Sequence, residues 1–194
     1  MARILLLYST VDGQTRKIAE RLADVMGAPD RDLTLAALDA TTSVAPDGFD
    51  AVVIGASIRY GHHRPEVAAW IARHQTTLES TVNGFYSVNV VARKPTRNTP
   101  ETNPYLRKFL RRIDWRPQHL AVFAGRIDYP RYGVLDRNVI RLIMWMTHGP
   151  TDPDTVIEYT DWAQVERFAQ RIVAGLTPSA APAAEGLENL PDGP

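Results

Sequence analysis

Cysteine is absent from the 194 residues, which excludes disulfides, thiolate metal sites and a cysteine nucleophile. No stretch approaches the ~20 apolar residues of a membrane-spanning helix. The N-terminal MARILLLYST is too short for a signal peptide, no small-residue cleavage site follows it, and it reads as a first strand. A cytoplasmic location is therefore the expectation. Two nucleotide-binding signatures are also missing: there is no Gly-Lys-Ser/Thr of a Walker loop and no G-x-G-x-x-G dinucleotide fingerprint. His62 and His63 are adjacent, but no third ligand stands at a telling spacing, so no metal is expected.

What is present is enough apolar residue for one domain with a sizeable core, 44% of the chain. The net charge of zero hides an asymmetry. Residues 1–92 carry 8 basic and 10 acidic side chains, residues 93–141 carry 12 and 4, and residues 142–194 carry 2 and 8. The basic middle block fits an anionic membrane surface, a polyanionic partner or an acidic substrate, or else a solvated helix face.

Strand and helix patterns alternate. Ile4–Tyr8 is a continuous apolar run, as in a strand buried on both faces. Helical spacing follows through Ile18, Leu22 and Met26, closed by Gly27. Further strands are read around Leu33–Leu38, at Ala51–Ser57, at Phe85–Ala92 and at Leu120–Gly125. Helices are read after Pro65 (Val67, Trp70, Ile71 and Leu78 inward), over Tyr105–Ile113 with a basic face, and after an Asp161 cap. This is an α/β pattern: an open five-stranded parallel sheet with helices on both faces. Ligands bind such sheets beyond the carboxyl ends of the strands, so STVDGQT, SIRYGHH and NVVARKP should converge.

STVDGQT, residues 9–15, lies between a buried strand and a helix start, where free backbone N–H groups and the helix dipole favour an anion. Ser9, Thr10 and Thr15 add hydroxyls, Gln14 adds an amide, and Gly13 allows close backbone approach. Such a loop can hold a phosphate monoester without a fixed cation; an ordinary capped turn is the alternative.

The loop, strand–S-T-x-D-G-Q-T–helix, resembles the flavodoxin phosphate loop. VVIGASIRYGHH, FYSVNVVARKP with TPETNPYLRKFL, WRP, YPRY, DRNVIRLIMWM and YTDW together resemble the menaquinone-dependent protoporphyrinogen IX dehydrogenases of bacterial haem synthesis, over residues 2–175. The resemblance implies a flavodoxin-like sheet of order 2-1-3-4-5 and a single FMN-binding domain over residues 1–176. A disordered tail over 177–194 is expected from its Pro, Ala and Gly content. It implies that the FMN phosphate falls to Ser9, Thr10, Asp12, Gly13, Gln14 and Thr15, with the Asp12 side chain turned away. The flavin ring then falls to Ala56, Ser57, Ile58, Arg59, Tyr60 and Gly61 and to Ser87, Val88, Asn89 and Val90, with Tyr60 stacking on it. No catalytic side chain is assigned, because the chemistry belongs to FMN.

The implied reaction removes six electrons from protoporphyrinogen IX and passes them to three menaquinones. Arg93, Lys94, Arg126 and Arg131 are the candidates for the substrate propionates. A long helical insertion, residues 126–150, follows the fifth strand; Asp136 should cap a helix from about Arg137 to Thr147. At 1.5 Å per residue that helix is too short to span a bilayer; it either lies in the interface, with Trp145 and the methionines inward, or packs on its own domain. The implied partners are protoporphyrinogen, a quinone and the cytoplasmic face of the inner membrane, with no nucleic acid. Other classes on this fold stay open: an NAD(P)H:quinone oxidoreductase, an electron-carrier flavodoxin (against which the basic block argues), and a non-enzymatic membrane-surface module.

Overall fold

The computed structural model describes residues 1–146 and 149–176, apart from the side chains of Leu135 and Asp136. The expected tail and the helix end at Thr147 lie outside the described residues, whereas Asp136, expected as a cap, falls within a helix that already begins at Val134. Strands β1 (Ala2–Ser9), β2 (Arg31–Ala37), β3 (Ala51–Ser57), β4 (Val82–Asn89) and β5 (His119–Ala124) form one parallel sheet in the order β2-β1-β3-β4-β5. The expected order is the observed one.

Alternation along each strand sends successive side chains to opposite faces. Leu5, Leu7, Val52, Ile54 and Phe85 meet α2 (Pro65–Arg73), α3 (Gln75–Glu79) and α4 (Pro104–Leu110) through Val67, Trp70, Leu78, Leu106 and Phe109. Ile4, Leu6, Val53 and Tyr86 meet α1 (Gln14–Met26) and α6 (Trp162–Leu176) through Ile18, Leu22, Phe168 and Ile172. Each buried aliphatic or aromatic side chain contributes ~1.5–3 kcal/mol, so these two layers carry most of the stability.

Several boundaries differ from the sequence reading. The helix after Pro65 breaks at His74, and Leu78 belongs to a separate short helix. The fourth strand ends at Asn89 rather than Ala92, because the Asn89 side chain accepts the Ala92 N–H at 3.0 Å and turns residues 90–93 into a 3-10 helix. The helix read as Tyr105–Ile113 spans only Pro104–Leu110; Asn103 caps it by accepting the Tyr105 and Leu106 N–H groups. Gly27 closes α1 as expected, in an extended conformation with its N–H donating to Ala23 O at 2.8 Å. Asp161 caps α6 as expected, accepting the Gln164 N–H at 3.1 Å.

The segment after β5 holds more structure than one helix. Strands β6 (Arg126–Asp128) and β7 (Val156–Glu158) pair antiparallel and bracket α5 (Val134–Met146), which starts before the expected Arg137. A satellite core of Ile127, Tyr129, Tyr132 and Met144 seats α5 beside the carboxyl end of the sheet. Its far side exposes Val134, Leu142, Trp145 and Met146. Among the described residues, no helix is long and apolar enough to cross a membrane.

Candidate functional site

At the carboxyl end of β1, Gly13 takes φ +90° and starts α1, a conformation that L side chains rarely adopt. The Gly13 N–H donates to Thr10 Oγ1 at 3.0 Å, which closes the loop on itself. The first helical bond is Lys17 N–H to Gly13 O, so the N–H groups before Lys17 have no intrahelical partner. Two side-chain hydroxyls lie among them. Ser9 is 2% exposed and Thr15 is fully buried, yet neither hydroxyl has a hydrogen-bond partner. Buried hydroxyls left unpaired cost free energy, and paired hydroxyls are the rule. A side chain on Gly13 would point into open space. The cradle is shaped for an anion, and its neutral donors suit a phosphate monoester.

Gln14 is anchored elsewhere: its amide donates to Thr160 Oγ1 at 2.9 Å, and Thr160 donates onward to Ala124 O at 2.8 Å. The Asp12 carboxylate is held by Arg59, whose Nη1 stands 3.2 Å from both carboxylate oxygens. That ion pair ties the phosphate-type loop to the loop after β3.

The second loop is a two-residue hairpin. Arg59 and His62 exchange backbone hydrogen bonds at 2.9 and 3.1 Å, and Tyr60 (φ 49°) and Gly61 (φ 79°) make the turn between them. His62 holds the turn: its Nδ1 lies 3.0 Å from Tyr60 O, and its Nε2 lies 3.0 Å from Lys108 Nζ. Since the ammonium only donates, Nε2 accepts and Nδ1–H donates to the carbonyl. The Tyr60 ring stands 61% exposed at the tip.

In the third loop the Asn89 amide is occupied internally. Its oxygen accepts Ala92 N–H and Asn103 Nδ2, and its nitrogen donates to Ser87 Oγ at 3.4 Å. Asn89 therefore positions the chain and has little left for a ligand. Ser87 faces His63, with Oγ to Nε2 at 3.0 Å. Ala56 and Ser87 lie beneath the cleft, outside its lining, and Ser9 and Gly13 of the first loop also stand outside it.

Together the three loops and α5 enclose a cleft of about 200 Å³. Thr10, Asp12, Gln14, Thr15, Ser57–Gly61 and Val88–Val90 line it, as anticipated for convergent loops. Residues missed in the sequence complete it: Tyr105, Gly125 and Tyr132 on one side, and Val139, Ile140, Ile143 and Met144 of α5 as an apolar roof. Of the four cations expected to face a substrate, Arg126 alone is in the lining, and it pairs with Asp128 at 2.8 Å. Arg93 turns toward Val90 O, while Lys94 and Arg131 lie outside the cleft.

Comparison with known proteins agrees with this geometry. The family model described as flavodoxin domain matches residues 5–154. The protoporphyrinogen IX dehydrogenase (quinone) of Escherichia coli strain K12 is 46% identical over 170 residues, covering 88% of this chain and 94% of that protein. The protein of the same name from Leishmania major is 42% identical over 196 residues, covering 98% of this chain and 83% of its own. Among solved structures, a short-chain flavodoxin associated with a non-canonical PDU bacterial microcompartment aligns with a TM-score of 0.52 at 13% identity, covering 91% of this chain and 100% of its own. A flavodoxin from the domain Archaea aligns at 0.51 with 11% identity, covering 90% and 98%. The two structural likenesses speak for the fold alone. The sequence relatives and the domain match go further: the chain belongs to the protoporphyrinogen IX dehydrogenase (quinone) family of flavodoxin-domain proteins.

Proposed function

We propose that the chain oxidises protoporphyrinogen IX to protoporphyrin IX with a quinone as electron acceptor, using FMN held in the cleft. The observation that carries the cofactor reading is the pair of buried, unpartnered hydroxyls of Ser9 and Thr15 at the start of α1. The substrate and acceptor readings are supported by relatives of that name at 46% and 42% identity.

When bound, FMN supplies two-electron redox chemistry between porphyrinogen and quinone. The chain binds and orients it. Ser9, Thr10, Gly13, Gln14 and Thr15 hold the phosphate through hydroxyls, N–H groups and the helix dipole. Arg59 neutralises Asp12, so the loop presents no free acid to the dianion. The Tyr60–Gly61 turn offers an exposed aromatic face, and Val88, Val90, Ile140 and Met144 exclude water from the far wall. No side chain of the cleft need act as a nucleophile or a strong base.

We assign menaquinone as the acceptor and the cytoplasmic face of the inner membrane as its source. Support comes from α5, about 20 Å long, whose exposed Leu142, Trp145 and Met146 sit on the helix that roofs the cleft. Anaerobic oxidation of protoporphyrinogen, followed by porphyrin fluorescence with FMN-loaded protein and a menaquinone analogue, tests the reading. Quinone-dependent fluorescence above the uncatalysed rate is expected. No turnover, with NADH oxidised by quinone instead, would move the chain to the nicotinamide-dependent reductases.

A further inference from the structure

A second groove adjoins the cleft and shares Gly61 and Tyr105 with it. It runs between the start of α2 and the flank of α4. Arg64, Lys108 and Arg112 line it together with His62 and His63, and its lining contains no acidic side chain. None of the three cations forms an ion pair with a carboxylate within 4.0 Å among the described residues. Other cations of the chain do pair, as Arg16 with Glu20, Lys17 with Glu158 and Arg126 with Asp128 show. Asp39 lies within electrostatic reach of Arg64 but outside the lining, so the groove surface itself, with three cations and no acid, has a field suited to anions.

His63 adds an independent observation. It is 9% exposed, it lines this groove, and its Nδ1 has no hydrogen-bond partner. On its other side Nε2 lies 3.0 Å from Ser87 Oγ, a hydroxyl that already accepts from Asn89 Nδ2 and can either donate to the ring or accept a second N–H. With Ser87 donating, Nδ1 carries the ring proton and is a buried donor without an acceptor. Burial pushes the His63 pKa down to about 3, so this donor stays neutral across the physiological range.

We propose that this groove takes the propionate carboxylates of the tetrapyrrole, with Lys108 and Arg112 as the principal counter-charges and Arg64 and His63 completing the site. The inference rests on the reading of the substrate given above and replaces the cations expected from the sequence, three of which lie outside the cleft. The two propionates of protoporphyrinogen leave one edge of the macrocycle. With that edge over Tyr105 and Gly61, which border both cavities, the apolar body of the ring reaches the roofed cleft while the carboxylates remain among the cations. Charge-assisted contacts of this kind fix orientation more than they add affinity.

The test uses full-length, FMN-loaded protein and has two readouts. Binding of protoporphyrin IX, the stable product, is titrated by fluorescence; turnover is measured with protoporphyrinogen IX and with its dimethyl ester, which lacks the charges. Arg112→Ala should weaken porphyrin binding and raise KM for the diacid about tenfold, leave the ester unaffected, and be largely rescued by Arg112→Lys. Arg73→Ala, an exposed cation at the far end of α2, should change neither readout. Lys108→Gln should act on the diacid in the same direction as Arg112→Ala. Equal porphyrin affinity in the Arg112→Ala and unsubstituted proteins would overturn the proposal, as would an equal loss with the ester. A variant that loses binding to phosphatidylglycerol vesicles while keeping its porphyrin affinity would also overturn it and give the groove to lipid headgroups. If turnover is absent in every protein but the diacid still binds in an Arg112-dependent way, the groove stands and the activity reading falls.

Discussion

Tyr86 lies across Gly55 so closely that its ring fills the space a side chain there would take. The two residues are cross-strand neighbours in β3 and β4, and the fully buried Tyr86 donates its hydroxyl to Thr15 O at 3.4 Å. The missing side chain of Gly55 thus lets a ring from the sheet brace the first turn of α1. Gly55→Ala should overpack this site and lower stability by ~1–3 kcal/mol. Tyr86→Phe should cost less, ~0.5–1.5 kcal/mol, since it removes one hydrogen bond and keeps the ring. Urea unfolding of the apoproteins would rank the two; equal stability of Gly55→Ala and the unsubstituted chain would mean the ring moves away at no cost.

Ser9→Ala and Thr15→Ala should act with opposite sign on two measurements. Each removes a buried hydroxyl that has no partner, so the apoprotein should gain on the order of 1 kcal/mol. Each also removes one of the donors proposed for the phosphate. A hydrogen bond to a charged group is worth ~1.5–3 kcal/mol, so FMN affinity should fall about 10- to 100-fold. Calorimetry on apoprotein and flavin titration together check this; unchanged flavin affinity in both variants would remove the two hydroxyls from the site.

Arg59 shields the cradle from Asp12. In Arg59→Ala the freed carboxylate repels the phosphate, by ~1 kcal/mol at 4 Å in water, or about fivefold in FMN affinity. Asp12→Asn in the same background should restore most of that loss, and the restoration should shrink as salt is added. A double-mutant cycle on flavin affinity reads the coupling directly.

His63 makes stability depend on pH. Its pKa is pushed down to about 3, first by burial and then by His62, against about 6.5 in the unfolded chain. A base with a depressed folded pKa binds protons more readily when unfolded. The stability is therefore fully present above about pH 6.5 and is lost as the pH falls toward 3. Between pH 7 and pH 5 the loss from this residue should be about 2 kcal/mol. His63→Gln should lack that component, which urea midpoints at the two pH values would show.

The same residues mark what sequence reading reaches and where it stops. Ile4–Tyr8 and Ala51–Ser57 are continuous apolar runs because both faces of the sheet are covered, and that pattern needs no tertiary information. The strand-to-helix loop was readable too, since Ser9 through Thr15 are contiguous and one turn decides their path. Long-range partners were not. Arg59 meets Asp12 across 47 positions and Gln14 meets Thr160 across 146, so no local spacing encodes either contact. Asn89 looked like a ligand donor; its real partners, Ala92 and Asn103, lie in loops whose path only packing fixes. The apolar content of α5 could mean burial or exposure, and the answer is both: Met144 is buried and Trp145 is 71% exposed.

That exposed side of α5 makes the last prediction. Leu142 and Trp145 stand on the helix whose Ile140 and Met144 roof the cleft, so a lipid surface held by the outer side lies one helix diameter from the cleft. Aromatic and aliphatic side chains at an interface contribute through buried apolar area. Leu142→Glu and Trp145→Glu, both on exposed positions, should leave the unfolding midpoint and flavin content nearly unchanged. Together they should reduce sedimentation with phosphatidylglycerol vesicles on the order of tenfold. Turnover with a short-chain, water-soluble quinone should survive, while turnover with menaquinone embedded in vesicles should fall with vesicle binding. Full activity toward the embedded quinone in the doubly substituted protein would mean that α5 covers the cleft without presenting it to the membrane.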